Sequence, residues 1–342
     1  MLSRLTLFFV CLAFLGSGET FGFPLPHYEE IWFKSGCTLS QGKSKVHKFP
    51  GDLCVFLPDG SFISASTNSI QRISPRSEVL WQIPGHFHHQ LNFSNDFQEV
   101  LTLRSVVRME NGAEVRDDVL MIIDVSGKVL HQISSPELLS QTKTPSLGWN
   151  NTQVYRGKNP KTESSHFNSI YEIKNHRGVH GAEWMKPGNI IANSSKLGVF
   201  ILSPDLQKVV HHFTYPLSRD HNVHDVQVND NGDILLFNNQ VADPSGREYS
   251  SVDVYDPRSK TLEFRFTASP KEMFYSVICG GVQQLGHKLF FSHVTNGGYL
   301  LHMPDRKLLW ALPGKNASAH NLDPNQQIKI VFPERFLEKF KF

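Results

Sequence analysis

The chain has 342 residues, of which 39% are hydrophobic and 19% are charged, so it can bury a core and is not intrinsically disordered. Its formal net charge of +2 gives no reason to expect nucleic acid or an anionic membrane as a partner. The length allows one large all-β domain or two ordinary domains.

The N-terminal segment has the composition of a secretory signal peptide. Arg4 supplies a short positive region, Leu5 to Leu15 form an apolar run, and the small residues Gly16 to Gly18 follow. The run is too short to span a bilayer, and no later stretch is apolar enough to do so. We therefore expect removal of residues 1–22 and an exported chain, 23–342, without a transmembrane anchor, periplasmic in a bacterium and secreted otherwise. A buried N-terminal helix is the alternative.

Export implies an oxidising compartment, in which cysteines pair. Removal of the signal peptide leaves Cys37, Cys54 and Cys279. We expect a disulfide between Cys37 and Cys54 near the mature N-terminus, and a buried single thiol at Cys279. Four N-glycosylation sequons matter only in a eukaryotic source. They lie at Asn92, Asn150, Asn193 and Asn316.

Strand patterns dominate the chain from residue 53 onward. The segments are short, rich in β-branched and aromatic residues, and separated by turn sequences. They are LCVFL, SFISAS, EVLTLRSV, DVLMIIDV, NIIANS, GVFILS, DILLF, SVDVYD, KLFFS and IKIVF. Helical periodicity is limited to Pro136 to Gln141 and the last residues of the chain.

These strands belong to a repeated unit. A pair ending in Asp, a turn, a basic residue and aliphatic residues recurs, as in IIDVSGKVLHQI, FILSPDLQKVVHHF, DVYDPRSKTLEFRF and LHMPDRKLLWAL. After a variable loop each copy is followed by a new start, as in HDVQVNDNGDILLF. Six such starts lie near Asp52, His89, His166, His224, Gly280 and His320.

The repeats predict an all-β, six-bladed β-propeller made of four-stranded antiparallel blades. Blades in a ring bury one another, whereas a single blade cannot bury both of its faces. Too few residues follow His320 for a complete blade, so we expect an N-terminal strand around Tyr28 to Phe33 to close the ring. A polar insertion at about 140–163 accounts for the longest interval. A ring of seven or eight blades with degenerate units is the alternative.

Four of the six units begin with a histidine in what reads as the same register: His89, His166, His224 and His320. Because the innermost strand of each blade lines the central channel, the rings should meet at one mouth. We expect Asp225, Asn168 and Gln90 to orient them.

Two chemistries suit such a histidine cluster. The four neutral imidazoles could hold zinc, iron or copper. Alternatively, one neutral ring nitrogen attacks phosphorus or sulfur and carries the group covalently, while the other histidines donate hydrogen bonds or protons. Crowding by the other rings disfavours protonation and keeps the nucleophile neutral.

The region from Ser165 to Leu312 resembles the bacterial arylsulfate sulfotransferases, which are periplasmic six-bladed propellers. The order and intervals of the matching pieces agree as well as their residues. The pieces are SHFNSIYEI, GNIIANSSKLGVFIL, VHDVQVNDNGDILLFNN, REYSSVDVYD and GGVQQLGHKLFF, with HHQLNFS added upstream.

The resemblance implies transfer of a sulfuryl group from an aryl sulfate to a phenolic acceptor through a sulfated histidine, without the nucleotide donor PAPS. The family's nucleophile falls on His224, its histidine-x-asparagine pair falls on His166 and Asn168, and a third histidine falls on His89. These last three residues would hold the sulfuryl oxygens and help the phenolate to leave.

One position departs from the family pattern. The family places an arginine in the strand after the histidine-x-asparagine motif, and here Ser195 occupies that position with Lys196 beside it. Adjacent strand residues point to opposite faces, so Lys196 is not a simple substitute. Arg104, Arg219 or Arg247 are the candidates for the missing positive charge.

We expect His320, Asp225, Arg247 and Lys196 to contribute to substrate binding, and the sulfotransferase interpretation requires no cofactor. Three function classes follow from the sequence. They are a sulfotransferase acting on aryl sulfates and phenols, a metal site formed by His89, His166, His224 and His320, and a non-catalytic exported binding or scaffold module.

Overall fold

The structure is a computed structural model. It describes residues 32–35, 37–41, 44–142, 162–163, 165–174, 176, 183–195, 197–214, 223–242, 248–256, 258–259, 261–267, 274–276, 280–286, 289–294, 297–302, 307–313 and 328–331. The signal-peptide segment and Cys279 lie outside these residues.

One sheet is built from both ends of the chain. We call it the mixed sheet for that reason alone, since all of its strands pair antiparallel. Its N-terminal strands are β1 (Trp32–Ser35), β2 (Thr38–Gln41) and β3 (Ser44–Lys48). The last strand of the chain, β25 (Ile328–Val331), pairs antiparallel with β1. Three N-terminal strands, rather than the one expected, therefore complete the sheet that the C-terminal strand begins.

Five further sheets follow one another along the chain, each with antiparallel strands paired in sequence order. The first contains β4 (Leu53–Phe56), β5 (Phe62–Ala65), β6 (Ser69–Ile73) and β7 (Val79–Pro84). The second contains β8 (His86–Phe93), β9 (Glu99–Glu110), β10 (Ala113–Asp124) and β11 (Val129–Ser134), and β12 (Thr162–Glu163) pairs parallel with β10.

The other three sheets repeat the four-stranded plan. The third contains β13 (Phe167–Glu172), β14 (Ile190–Ser194), β15 (Gly198–Leu202) and β16 (Val209–Phe213). The fourth contains β17 (Val223–Val228), β18 (Ile234–Ala242), β19 (Glu248–Asp256) and β20 (Thr261–Phe266). The fifth contains β21 (Gly281–Gly286), β22 (Leu289–Val294), β23 (Gly297–His302) and β24 (Lys307–Pro313). The protein is thus an all-β structure of antiparallel, mostly four-stranded sheets.

The aspartates of the sequence repeat form the turns between the third and fourth strands. Asp124 Oδ1 accepts hydrogen bonds from the amides of Ser126 and Lys128. Asp205 Oδ1 accepts from the amide of Gln207, and Asp256 Oδ1 accepts from the amide of Arg258. The repeat is therefore a recurring side-chain-to-backbone turn, which aspartate forms readily.

Successive sheets pack face to face through aliphatic and aromatic side chains. Between the second and third sheets, Leu103 and Leu120 pack with Phe167 and Phe200, all of them fully buried. The first strands of these five sheets, β4, β8, β13, β17 and β21, contact one another in succession. The histidine-bearing strands therefore lie side by side.

One hydrogen bond recurs between these neighbouring first strands. In each case a side-chain oxygen accepts the amide proton of an apolar residue on the next sheet. Gln90 Oε1 accepts from Ile170, Ser169 Oγ accepts from Val226 at 3.2 Å, and Asp225 Oδ2 accepts from Val282 at 3.1 Å. The contact defines Gln90, Ser169 and Asp225 as equivalent positions, and it joins the second sheet to the third, the third to the fourth and the fourth to the fifth.

A short helix and a disulfide complete the described structure. Helix α1 (Ser135–Ser140) begins with a capping box formed by Ser134 and Glu137. Cys37 and Cys54 form a disulfide with their Cα atoms 4.8 Å apart, which ties the mixed sheet to β4 of the first sheet. Among the described residues, none of the helical segments is long and apolar enough to cross a bilayer.

Candidate functional site

Three histidine rings from three sheets meet near the starts of β8, β13 and β17. The ring centroid of His89 lies 5.0 Å from that of His166 and 6.0 Å from that of His224. All three residues are partly exposed, whereas the residues that flank them in sequence are mostly buried. His89 is the centre of this small group of rings.

The three histidines do not share one register, contrary to the sequence prediction. Relative to the recurring inter-sheet bond, His89 and His224 each precede the accepting residue by one position. In the third sheet Asn168 has that position, next to Ser169, and His166 lies two residues earlier. The register shifts around His89 in β8 and around His224 in β17, so both lie in β-bulges, whereas the shift in β13 falls at Asn168 and His166 precedes that strand.

His224 is held in one tautomer by the fifth sheet. Its Nδ1 lies 2.8 Å from the carbonyl oxygen of Gly280. A carbonyl oxygen only accepts hydrogen bonds, so Nδ1 must be the protonated nitrogen and Nε2 of the neutral ring retains its lone pair. Burial, followed by the charge of His166, lowers the pKa of His224 to about 4 even though the Gly280 bond opposes the shift. The ring is consequently neutral at physiological pH.

His89 is linked to a buried carboxylate through its sequence neighbour. The Nδ1 atoms of His88 and His89 lie 2.5 Å apart, and Nε2 of His88 lies 3.0 Å from Oδ1 of Asp118. Burial lowers the pKa of His89 well below its ordinary value, and the charges of His88, His166, His224 and Arg116 lower it further. His89 is thus a neutral ring that is hydrogen-bonded to a second ring.

Asp118 is a fully buried carboxylate with several donors around it. Its oxygens accept hydrogen bonds from the amide of Phe167 at 2.7 Å and from the hydroxyls of Ser165 at 3.0 Å and Ser105 at 3.2 Å. Burial alone would raise the pKa of Asp118, but the bond and charge of His88, together with the Phe167 amide, lower it to about 2. The carboxylate is therefore ionised and only accepts.

Arg116 is a positively charged residue that affects the pKa of two histidines near the cluster. Its Nε donates a hydrogen bond to Ser105 Oγ at 2.8 Å, and Arg116 lies two residues before Asp118 on β10. After burial, its positive charge is the main cause that lowers the pKa of His86, and it also contributes to the lowered pKa of His89. Alternation along β10 places Arg116 on the same face as Asp118.

Asn168 and Ser195 lie close to His166 in the chain or in space. Asn168 is 1% exposed, and neither oxygen nor nitrogen of its side-chain amide has a hydrogen-bond partner among the described residues. Ser195, where the sequence resemblance leads one to expect an arginine, donates its amide proton to the carbonyl of His166 at 3.1 Å. A buried amide without a partner is costly, and a bound ligand could satisfy it.

The other predicted site residues have different positions. Asp225 is buried, and its bond to the Val282 amide fixes β17 to β21. Arg104 lies against the backbone of Gly85 and shares its strand face with Phe87, which packs toward the first sheet. Four predicted contributors lie outside the described residues: Lys196, Arg219, Arg247 and His320.

The metal alternative depends on the positions of all four predicted ligands. In the described part of the chain, no group of three or more histidine, cysteine, aspartate or glutamate side chains is arranged to hold a metal ion. One nitrogen of His224 is also hydrogen-bonded to Gly280. The predicted fourth ligand, His320, lies outside the described residues, so the four-histidine metal site stays a prediction.

Sequence reasoning missed His88, Asp118 and Arg116. His88 was visible only as part of the run His86 to His89, in which one histidine had to be chosen. Asp118 and Arg116 lie on β10, two strands away from the histidines of β8 in the same sheet. Their proximity depends on strand register, which the sequence does not specify for so long a hairpin.

Comparison with known proteins identifies the family. The family model described as arylsulfotransferase (ASST) matches residues 95–306. No curated protein matches the sequence significantly. A crystal structure of a protein of unknown function from Bacteroides caccae is similar in fold, with 11% identity and a TM-score of 0.52, over 88% of this chain and 98% of that one. The WD40 domain of Neurospora crassa Pan2 aligns over 80% of this chain and 72% of that one, with 11% identity and a TM-score of 0.42. Since the family model covers more than half of the chain, this protein belongs to the arylsulfotransferase (ASST) family.

Proposed function

We propose that the protein moves a sulfuryl group from an aryl sulfate to a phenolic acceptor through a sulfated His224. The observation that carries the proposal is the tautomer of His224, whose Nδ1–H is bound by Gly280 and whose Nε2 is left as a nucleophile beside two other histidines. Membership of the family supports sulfotransferase chemistry in general.

In the first half-reaction Nε2 of His224 bonds to sulfur while the bond between sulfur and the aryl oxygen breaks. The electron pair of that bond leaves with the phenolate, which takes a proton from His89. The sulfated ring then carries a positive charge beside the negative sulfonate, and the Gly280 carbonyl stabilises that charge through Nδ1–H.

In the second half-reaction the acceptor phenol gives its proton to His89 and its oxygen bonds to sulfur. The bond between nitrogen and sulfur breaks, and its electron pair returns to His224. Proton transfer of this kind contributes about 10²- to 10⁴-fold in enzymes. The cycle consumes no net proton, because the proton taken from the acceptor replaces the one given to the leaving group.

Negative charge on the sulfuryl oxygens is offset by Arg116 and by the Asn168 amide. Arg116 has the electrostatic role that the family assigns to the arginine replaced here by Ser195. The Asn168 nitrogen, buried and without a partner among the described residues, donates to a sulfuryl oxygen. In a site of low polarity such donors act strongly on developing charge.

We infer that the sheets form one closed six-bladed propeller over 23–342. The pairing of β1 with β25, the succession of first strands and the recurring inter-sheet bond all support this arrangement. Contacts of β22 with β25 join the fifth sheet to the mixed sheet, and the disulfide joins the mixed sheet to the first. We further propose cleavage of residues 1–22 and export, into the periplasm of a bacterium or otherwise by secretion.

The proposal is tested with purified protein, p-nitrophenyl sulfate as donor and phenol as acceptor. We expect turnover that depends on phenol and, without phenol, one released nitrophenol per chain with the sulfuryl group on the peptide that contains His224. His224→Ala should abolish both, and Arg116→Gln should slow formation of the sulfated enzyme by about 10-fold or more.

His131→Ala is the matched control, because His131 lies on the edge strand β11 away from the cluster. It should retain the activity of the wild-type protein. Absence of any sulfated histidine in the wild-type protein would contradict the proposed function. Stoichiometric zinc, iron or copper in the exported protein would favour the metal alternative instead.

The substitution of the family's arginine by Ser195 favours a second candidate, a non-catalytic exported binding or scaffold module. That candidate predicts no sulfated intermediate, and it predicts that His224→Ala leaves ligand or partner binding intact. The same protein preparations therefore separate the two functions.

A further inference from the structure

The bonds among Asp118, His88 and His89 form a continuous chain. Asp118 Oδ1 lies 3.0 Å from Nε2 of His88, and Nδ1 of His88 lies 2.5 Å from Nδ1 of His89. The side chain of His88 is 9% exposed and that of Asp118 is 0% exposed. The chain of bonds is thus shielded from water up to the partly exposed His89, which faces the other histidines.

The Asp118 carboxylate determines where the first proton of the chain lies, on Nε2 of His88. An ionised carboxylate only accepts, so Nε2 of His88 carries a proton and donates it to Asp118. The proton between the two Nδ1 atoms then has two positions. On His89 it leaves Nε2 of His89 free to accept a proton, and on His88 it leaves Nε2 of His89 protonated and able to donate one.

The surroundings determine which ring can carry a positive charge. The titratable and charged groups around the pair come from β8, β10 and the neighbouring sheets, with a further carboxylate before β4. They are His86, Arg116, Asp118, His166, His224 and Asp52. A charge on His89 would face the positive Arg116 and two other histidines, whereas a charge on His88 lies next to the Asp118 carboxylate.

We infer that Asp118 and His88 form a proton relay that lets His89 protonate the leaving phenolate, and deprotonate the acceptor phenol, without itself becoming charged. The inference rests on the proposed sulfuryl transfer and deepens it. Asp118 and His88 are positioning residues, because they act through His89. The substrate class that needs them is an aryl sulfate whose phenolate is too basic to leave unprotonated.

The proton movements balance in both half-reactions. When the bond between sulfur and the aryl oxygen breaks, the phenolate oxygen takes the Nε2 proton of His89. His89 Nδ1 then takes the proton of His88 Nδ1. His88 thereby becomes neutral and remains bonded to Asp118. When the acceptor phenol attacks the sulfated His224, its proton enters at His89 Nε2 and the sequence runs in reverse.

The experiment compares two donors that differ in the basicity of their leaving group. p-Nitrophenolate is a weak base that leaves without protonation, whereas phenolate from phenyl sulfate needs a proton. The variants are Asp118→Asn and His88→Gln. The glutamine can still donate to Asp118 but has no ring nitrogen toward His89. The matched control is His86→Gln, on the same strand, with its ring 6.0 Å from that of His88.

We expect both variants to form sulfated His224 from p-nitrophenyl sulfate at rates within about threefold of wild type, and to lose about 100-fold or more with phenyl sulfate. His86→Gln should behave as wild type with both donors. An equal loss with both donors, or no loss with either, would overturn the relay, because a merely structural role does not depend on the leaving group.

A spectroscopic measurement separates failure of the relay from failure of the proposed function. In the wild-type protein a relay gives a strongly downfield ring N–H resonance in proton NMR, which should disappear in His88→Gln and persist in His86→Gln. If the wild-type protein never forms sulfated His224, the function fails while the resonance still decides on the relay. If the wild-type protein shows no such resonance, the relay is wrong whatever the activity.

Discussion

His89 and His166 adopt a backbone conformation that residues with a Cβ rarely accept. Their φ angles are 58° and 62°, in the left-handed region, which costs about 1 kcal/mol or more for each residue. The amide of Ser195 holds the carbonyl of His166, and the register shift in β8 holds His89. Both of these left-handed positions bring a ring into the cluster.

The lowered pKa of His224 predicts an unusual pH profile. A protonated ring cannot attack sulfur, and with a pKa of about 4 His224 stays neutral well below its ordinary pKa of 6.5. In single-turnover measurements we expect the rate of enzyme sulfation by p-nitrophenyl sulfate to be constant from neutral pH to about pH 5, and to fall toward pH 4. A fall centred near pH 6.5 would contradict this prediction.

Stability must be followed in parallel, because the same group affects folding. Between about pH 6.5 and pH 4 the unfolded state binds a proton at His224 and the folded state does not, so stability decreases as the pH falls. Asp118 acts in the same direction below its ordinary pKa of 3.8, because its folded pKa is about 2. Thermal unfolding at each pH shows whether a loss of rate reflects unfolding.

At the scale of single residues, the sequence predicts the participants that recur with the repeat. His89, His166 and His224 begin successive units, and the structure brings their rings together. The sequence does not predict Asp118, because an aspartate near the centre of a long hairpin has no recurring pattern. Sequence spacing also places the histidines in one register, since a β-bulge leaves no signal in the spacing of side chains.

At the scale of elements, buried asparagine side chains connect the third sheet to the second and to the fourth. The amide nitrogen of Asn92 donates to the carbonyl of Ile170 at 2.8 Å, and that of Asn193 donates to the carbonyl of Val223. Both asparagines belong to sequons, yet both are buried and use their amide nitrogen within the fold. In the folded protein these two side chains are therefore inaccessible from solvent.

Asn193→Asp tests the strength of this connection. The substitution replaces the amide donor with a carboxylate oxygen that faces the carbonyl of Val223. Because Asn193 is only 1% exposed, the hydrogen bond becomes a buried repulsive contact. We expect the free energy of unfolding to fall by about 2 kcal/mol, measured by guanidinium titration. Asn231→Asp, in an exposed turn, is the matched control and should change stability by no more than about 0.5 kcal/mol. Equal effects of both substitutions would contradict the proposed connection.

At the scale of the whole molecule, the sequence predicts the strand content and the repeated plan, because alternation and turn chemistry are local. The helix expected at Pro136 to Gln141 is confirmed as Ser135–Ser140. The number of N-terminal strands in the mixed sheet is not predicted. The three strands between residues 32 and 48 are short, and their pairing with β25 is distant in sequence.

The disulfide between Cys37 and Cys54 should stabilise the whole molecule, since it joins the mixed sheet to the first sheet. For a sequence separation of 17 residues, chain-entropy arguments give about 3 kcal/mol. We expect the double variant Cys37→Ser and Cys54→Ser to lose about that amount in guanidinium unfolding. A reducing agent should lower the stability of the wild-type protein similarly and leave the variant unchanged. A variant as stable as the wild type would contradict the prediction.

The mixed sheet has a consequence for biosynthesis. β1 emerges from the ribosome long before its partner β25, so one edge of β1 lacks its partner while the intervening sheets are made. An open strand edge invites pairing with other chains. A chaperone that shields this edge until β25 is made would therefore favour pairing within the chain over pairing between chains.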